Sequence, residues 1–94
     1  MDVRARRVRR GERWLDLSNR EFALLELLML NPGQVVSKAT ILEQVWHESA
    51  DRDENVVEVY VNYLRGKLEA WGAPRLVHTV RGKGYILEAR DDQP

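Results

Sequence analysis

The sequence predicts an α+β fold, and three signals predict it. An S-x-x-E capping box, Ser18 to Glu21, opens a long apolar run. Two more helix starts follow, at Ser37 and around Asp51–Glu54. Near the end, β-branched and aromatic residues flank Arg81-Gly82-Lys83-Gly84, the pattern of a hairpin. The order is hairpin, three helices, hairpin, which lacks the strand–helix alternation of a parallel α/β sheet.

Each element has its own justification. Apolar residues at 3, 5 and 8, then at 15 and 17, partly alternate across Gly11-Glu12, so residues 3–17 read as a short Arg-rich hairpin. Its many arginines discourage edge-to-edge strand pairing. The first helix, 19–30, places Phe22, Leu25, Leu28 and Met29 on one predicted buried face, and Asn31-Pro32-Gly33 stops it. Val35 and Val36 suit a brief extended bridge. Ser37 caps a second helix, 38–46, with Ile41, Leu42, Val45 and Trp46 as its apolar stripe. A polar, acidic loop runs from His47 to Asp53. Asp51-x-x-Glu54 then caps a third helix, 54–70, that ends before Gly72-Ala73-Pro74. Residues 76–89 form the closing hairpin, with a four-residue turn at 81–84, and residues 90–94 are expected to fray.

The 94 residues suit a single domain, 1–94. The sequence has no cysteine, which excludes disulfide frameworks, Cys-type zinc sites and thiol nucleophiles. No apolar run approaches the roughly 20 residues of a membrane span, and no apolar signal-peptide core follows the basic start. The expectation is a soluble, cytoplasmic domain. Fifteen basic and fifteen acidic residues give a formal net charge of zero, which at first argues against nucleic acid. The charge is nevertheless polarised. Residues 1–20 hold seven Arg against three acids; residues 21–58 hold two bases against eight acids; residues 59–90 hold six bases against two acids.

The third helix is the most informative segment. Val57, Val61, Leu64 and Leu68 fall on one side and form its core stripe. The opposite side gathers Asn55, Val59, Asn62 and Gly66, flanked by Val56, Glu58 and Tyr63. A merely solvated face would favour Lys, Glu and Gln. Amides can pair with base edges, and an apolar group can meet a thymine methyl. The same residues could equally meet a protein neighbour. Gly66 weakens the helix by about 1 kcal/mol relative to Ala. The tip at Arg81-Gly82-Lys83-Gly84 carries two cations on a slim turn, suited to a phosphate or a minor groove.

Several stretches together resemble the winged-helix effector domain of OmpR/PhoB-type response regulators. They are Leu15-Asp16-Leu17-Ser18 with Glu21-Phe22 and Leu24-Leu25, then Asn31-Pro32-Gly33 with Val35-Val36-Ser37, and Val45-Trp46. Val57-Glu58-Val59-Tyr60-Val61, Leu64-Arg65-Gly66-Lys67-Leu68-Glu69 and Thr79-Val80-Arg81-Gly82-Lys83-Gly84-Tyr85 complete the set. The resemblance covers roughly residues 13–88 in consistent order and spacing. It implies a winged helix-turn-helix with a three-helix core, a shortened N-terminal sheet and a C-terminal wing. It also implies double-stranded DNA binding in transcription regulation, as the output domain of a two-component system.

By position, the resemblance implies DNA contacts from Asn55, Val56, Glu58, Val59, Asn62, Tyr63 and Arg65 on the third helix. It implies wing contacts from Thr79, Arg81, Lys83 and Tyr85, and backbone contacts near Ser37, Lys38 and Trp46. By helical periodicity Lys67 lies away from the groove face. His47, Glu48, Asp51, Arg52 and Asp53 correspond to a loop that can contact RNA polymerase. Pairing on tandem half-sites is implied for the full-length protein, with the isolated domain expected as a monomer. Asn62, Tyr63 and Gly66 stand where relatives often carry basic residues, so phosphate attraction should be weaker. That departure leaves a second reading, a protein-interaction module with little DNA binding. The chain begins near the family's second strand and holds no receiver domain.

Other chemistry is not supported by the residues. Gly82-Lys83-Gly84 lacks the rest of a P-loop. His47 and His78 have no clustered partners for a metal. Glu48, Asp51, Asp53 and Glu54 read as a solvated loop beside a helix N-terminus. No nucleophile–base set stands out, so neither an enzyme nor a cofactor is expected.

Overall fold

A computed structural model describes residues 7–10, 12–46, 53–70 and 72–89. Strands β1 (Arg7–Arg10) and β2 (Arg13–Asp16) form a hairpin, followed by helices α1 (Asn19–Met29), α2 (Lys38–Val45) and α3 (Glu54–Leu68). Strands β3 (Val77–Val80) and β4 (Gly84–Leu87) close the order. Both strand pairs are antiparallel, and the three helices pack on one another. This is the expected α+β winged-helix arrangement.

Helix starts follow from local chemistry. The Ser18 hydroxyl accepts from the Glu21 N–H at 3.2 Å, and the Ser18 N–H donates to Glu21 Oε1 at 2.8 Å, a complete capping box. Ser37 caps α2 through the Thr40 N–H at 3.1 Å. The cap of α3 differs from the sequence expectation. Asp53, not Asp51, is the N-cap and accepts from the Asn55 N–H at 2.9 Å. An acid directly before the first helical turn reaches its free N–H groups, and Glu54 inside that turn adds favourable charge.

The core is built at helical spacing. Leu24, Leu28, Ile41, Val57, Val61, Leu64 and Val77 are fully buried. The α3 stripe, Val57, Val61, Leu64 and Leu68, is buried as its periodicity predicts. On α1 the expectation needs correction: Leu24 is buried and Met29 is 44% exposed. Leu24 and Leu28, one turn apart, face the other helices. Met29 sits in the last turn at the rim of a shallow apolar groove shared with Leu25, Leu68, Leu76 and Leu87.

Polar side chains fasten the N-terminal hairpin to the helices. Val8 and Leu15 face inward as register partners. The Arg10 guanidinium donates to the backbone carbonyls of Leu68 and Pro74. Lys67 donates to the Asp16 carbonyl at 3.0 Å and to Glu21 Oε1 at 2.6 Å. Lys67 therefore points away from the free face of α3, as the helical periodicity predicts. The part of the expected hairpin at residues 3–6 and the tail at 90–94 lie outside the described residues.

The wing is tighter than the expected 76–89 hairpin. Gly84 pairs with Val80, so Arg81–Lys83 alone form the turn, and the Lys83 N–H donates to the Val80 carbonyl at 2.9 Å. Val36 adds the predicted bridge: it exchanges two backbone hydrogen bonds with Tyr85, at 2.8 and 3.0 Å. This close approach requires glycine next door. A Cβ on Gly84 would stand 2.1 Å from the Val36 carbonyl oxygen, and its φ of +148° disfavours any side chain.

Candidate nucleic-acid interface

Packing decides which side of α3 is free. Because Val57, Val61, Leu64 and Leu68 are turned inward, Glu54, Asn55, Glu58, Val59, Asn62, Tyr63 and Gly66 are left exposed. Val59 is 43% and Tyr63 54% exposed, substantial apolar area for a surface helix. Val56 is half-buried and rests against the core, so it offers only an edge to the free face.

The wing turn stands beside the start of α2. Between them lies an open groove of about 470 Å³. Lys38, Arg81 and Lys83 line it together with Ser37, Ala39, Glu54, Thr79 and the glycines of the turn. Three cations thus meet the N-terminal end of α2, where peptide dipoles add partial positive charge. The Ser37 hydroxyl is held at this end of α2 by donating to Thr40 Oγ1 at 2.9 Å. Glu54 opposes these charges at one edge. Its place in the groove was not foreseen, because residue 54 and the wing are far apart along the chain.

Arg65 occupies a different role from a free groove-facing cation. Its Nε donates to the Val77 carbonyl at 2.9 Å and its Nη2 to Thr79 Oγ1 at 2.6 Å. Its guanidinium carbon lies 5.8 Å from the centre of the Tyr85 ring. Burial, then the like charge of Arg75, lowers the Arg65 pKa from its ordinary value, although a guanidinium stays protonated at neutral pH. Thr79 is exposed, and its hydroxyl hydrogen is left to donate outward while its oxygen accepts from Arg65.

Two aromatic candidates are interior. Tyr85 is 2% and Trp46 4% exposed, so neither presents a ring face to a ligand. Trp46 packs edge-on against Tyr60 at 5.3 Å, and Tyr60 against Tyr63 at 5.4 Å. Arg20 lies 5.4 Å from the Trp46 ring, and its guanidinium donates to the Val45 carbonyl. Arg20 and Tyr60 were missed by sequence reasoning; only the tertiary stacking shows that they brace Trp46 and Tyr63. Asp53 is exposed but engaged as the α3 cap. His47, Glu48, Asp51 and Arg52, the remaining candidate polymerase-contact residues, lie outside the described residues. Among the described residues no group of acidic or histidine side chains is arranged to hold a metal.

The comparisons with known proteins agree with this geometry. Residues 11–87 match the family described as "Transcriptional regulatory protein, C terminal". The response regulator MprA of Mycobacterium leprae (strain TN) is 52% identical over 87 residues, covering 93% of this chain. The chain spans only 38% of that relative's length. Among solved structures, the DNA-binding domain of response regulator AdeR, in complex with an intercistronic region, superposes with a TM-score of 0.83 at 26% identity. That match covers 96% of this chain and 92% of the other. The DNA-binding domain of Bacillus subtilis CssR gives a TM-score of 0.78 at 30% identity, covering 92% and 94%. With the matched segment running from β2 through all three helices to the end of β4, the chain belongs to the OmpR/PhoB-type winged-helix effector family of response regulators.

Proposed function

We propose that this domain binds double-stranded DNA sequence-specifically and regulates transcription as the output domain of a two-component response regulator. The carrying observation is the juxtaposition of the free face of α3 with the cationic groove formed by Lys38, Arg81 and Lys83. An α-helix fits the major groove of B-DNA, and a slim cationic turn fits the adjacent minor groove. Asn55 and Asn62 supply amides for base edges, Val59 an apolar contact, and Glu58 an acceptor for cytosine N4. Tyr63 adds a braced ring at the same face. The Ser37–Lys38 start of α2 and the Thr79 hydroxyl reach phosphates. The AdeR domain, which is similar over nearly the whole chain, is a DNA-binding domain, and that supports carrying the activity over.

The domain works in the cytoplasm in this reading; no described helix is long and apolar enough to cross a membrane. Pairing on tandem half-sites and contact with RNA polymerase belong to the longer protein. The test is selection of bound duplexes from a random pool at low salt. A recovered repeated motif is the expected result. No enrichment would refute DNA binding and favour a protein partner, to which Glu54, Glu58, Val59 and Tyr63 would then be the exposed surface.

A further inference from the structure

We infer that Arg65 is a positioning residue that locks the wing to α3, holding the wing tip at a set distance from the groove-facing helix. The inference rests on the DNA-binding reading only for its functional consequence; the lock itself is a property of the free protein.

The geometry is that of a two-point fork. From the last turns of α3, the Arg65 guanidinium spans two β3 residues on one strand face, Val77 through its carbonyl and Thr79 through its hydroxyl. It also lies beside the ring of Tyr85, the register partner of Thr79. Tyr85 is in turn bonded through its backbone to Val36, immediately before the Ser37 cap of α2. One side chain therefore ties α3 to the strand pair that also holds the entry to α2. A planar guanidinium offers several donors in fixed directions, whereas lysine offers one nitrogen. Lysine keeps the charge at this position but gathers its donors on one nitrogen at the end of a flexible stem, so it does not reproduce the two separated donors of the fork.

The consequence separates this role from a phosphate contact. If Arg65 met phosphate directly and independently of the wing, the effects of changing it and of changing Arg81 would multiply. As a lock, Arg65 matters because it presents Arg81, so the two effects overlap. The arrangement was not readable from the sequence, where Arg65 looks like one more cation on the recognition helix.

A double-mutant cycle tests the inference, using the best duplex from the random-pool selection. Arg81→Ala alone should weaken binding roughly tenfold, typical of losing one placed arginine. In the Arg65→Lys background the same change should cost less than about threefold, because the wing no longer docks. Equal tenfold losses in both backgrounds, or full affinity in Arg65→Lys, would overturn the lock. A second arm needs no DNA. In the free protein, Arg65→Lys and Thr79→Val should both speed amide hydrogen exchange in β3 and β4 while leaving α1 unchanged, and Thr79→Ser should restore slow exchange. Unchanged exchange in β3 and β4 would overturn the inference. Should the wild-type chain bind no duplex, the DNA-binding reading fails, and the exchange arm still decides whether Arg65 holds the wing.

Discussion

Replacing Gly84 with alanine should destabilise the domain by about 3–5 kcal/mol, summing a backbone and a hydrogen-bond penalty. The backbone penalty comes from the φ of +148°, a conformation that costs a side-chain-bearing residue about 1–3 kcal/mol. The hydrogen-bond penalty comes from collision. The new methyl would sit 2.1 Å from the Val36 carbonyl oxygen and 2.8 Å from Ser37 Cα. Both obstacles are backbone, so relief requires pulling the Val36–Ser37 segment off the wing. That breaks the two Val36–Tyr85 hydrogen bonds, worth about 1 kcal/mol each. For a domain of this size each kcal/mol shifts Tm by about 4–8 °C, so the midpoint should fall by at least about 12 °C. Thermal unfolding followed by circular dichroism reads this directly. Gly82→Ala is the control, because Gly82 has φ +72° but nothing within 4 Å of the added methyl. It carries only the left-handed backbone cost of about 1–2 kcal/mol. If Gly84→Ala melts no lower than Gly82→Ala, close approach to Val36 is not what requires glycine at position 84.

Three further outcomes are expected. Arg81→Ala should weaken duplex binding and flatten its dependence on salt by about one counterion, since a groove cation is lost; affinity measured from about 50 to 200 mM salt checks this, and an unchanged slope rejects the role. Asn62→Ala should relax preference at one or two base pairs, by about 1–3 kcal/mol, in a panel of single-substitution duplexes; an equal loss on every sequence would exclude base reading. Glu21 contributes to stability toward acid. Burial alone raises its carboxyl pKa, but hydrogen bonds from Lys67 and Ser18 and the Lys67 charge outweigh burial, and the pKa is lowered. A lowered folded pKa means stability present above the unfolded value, about 4.3, and lost as pH falls toward the folded value. Urea midpoints of wild type and Glu21→Gln should therefore differ at pH 6 and draw together as pH falls through the lowered folded pKa, and a constant difference would show that the ion pair is not linked to folding.

Much of the fold was legible because its signals are local. A serine and a glutamate three residues apart make the α1 cap from their own backbone, so no distant residue is needed. The α3 stripe was legible because one helix face repeats every three to four residues. The exceptions each involve something beyond one element. Met29 has the right spacing for burial, yet it borders an open groove and stays exposed while Leu28 beside it is fully buried. Asp51 has capping-box spacing, but Asp53 is the residue that stands directly before the helix. The site followed the same division. Asn55, Glu58, Val59, Asn62 and Tyr63 were correctly predicted to share the side of α3 opposite its core stripe, because that is helical geometry. Trp46 is interior, as its place in the apolar stripe of α2 predicts, and Tyr85, a candidate contact only through the resemblance, is interior too.

The amino-acid sequence by itself determined the α+β order, the main helix caps, the core stripe of α3 and the family, since these depend on spacing along one chain segment. It also showed that a net charge of zero conceals basic and acidic stretches. Only the tertiary structure decided where those charges act. Lys67 is spent on Glu21, Arg10 on the end of α3, and Arg65 on the wing, while Lys38, Arg81 and Lys83 converge on one groove. Charge acts through distance, and distances between residues remote in sequence exist only once the core has packed.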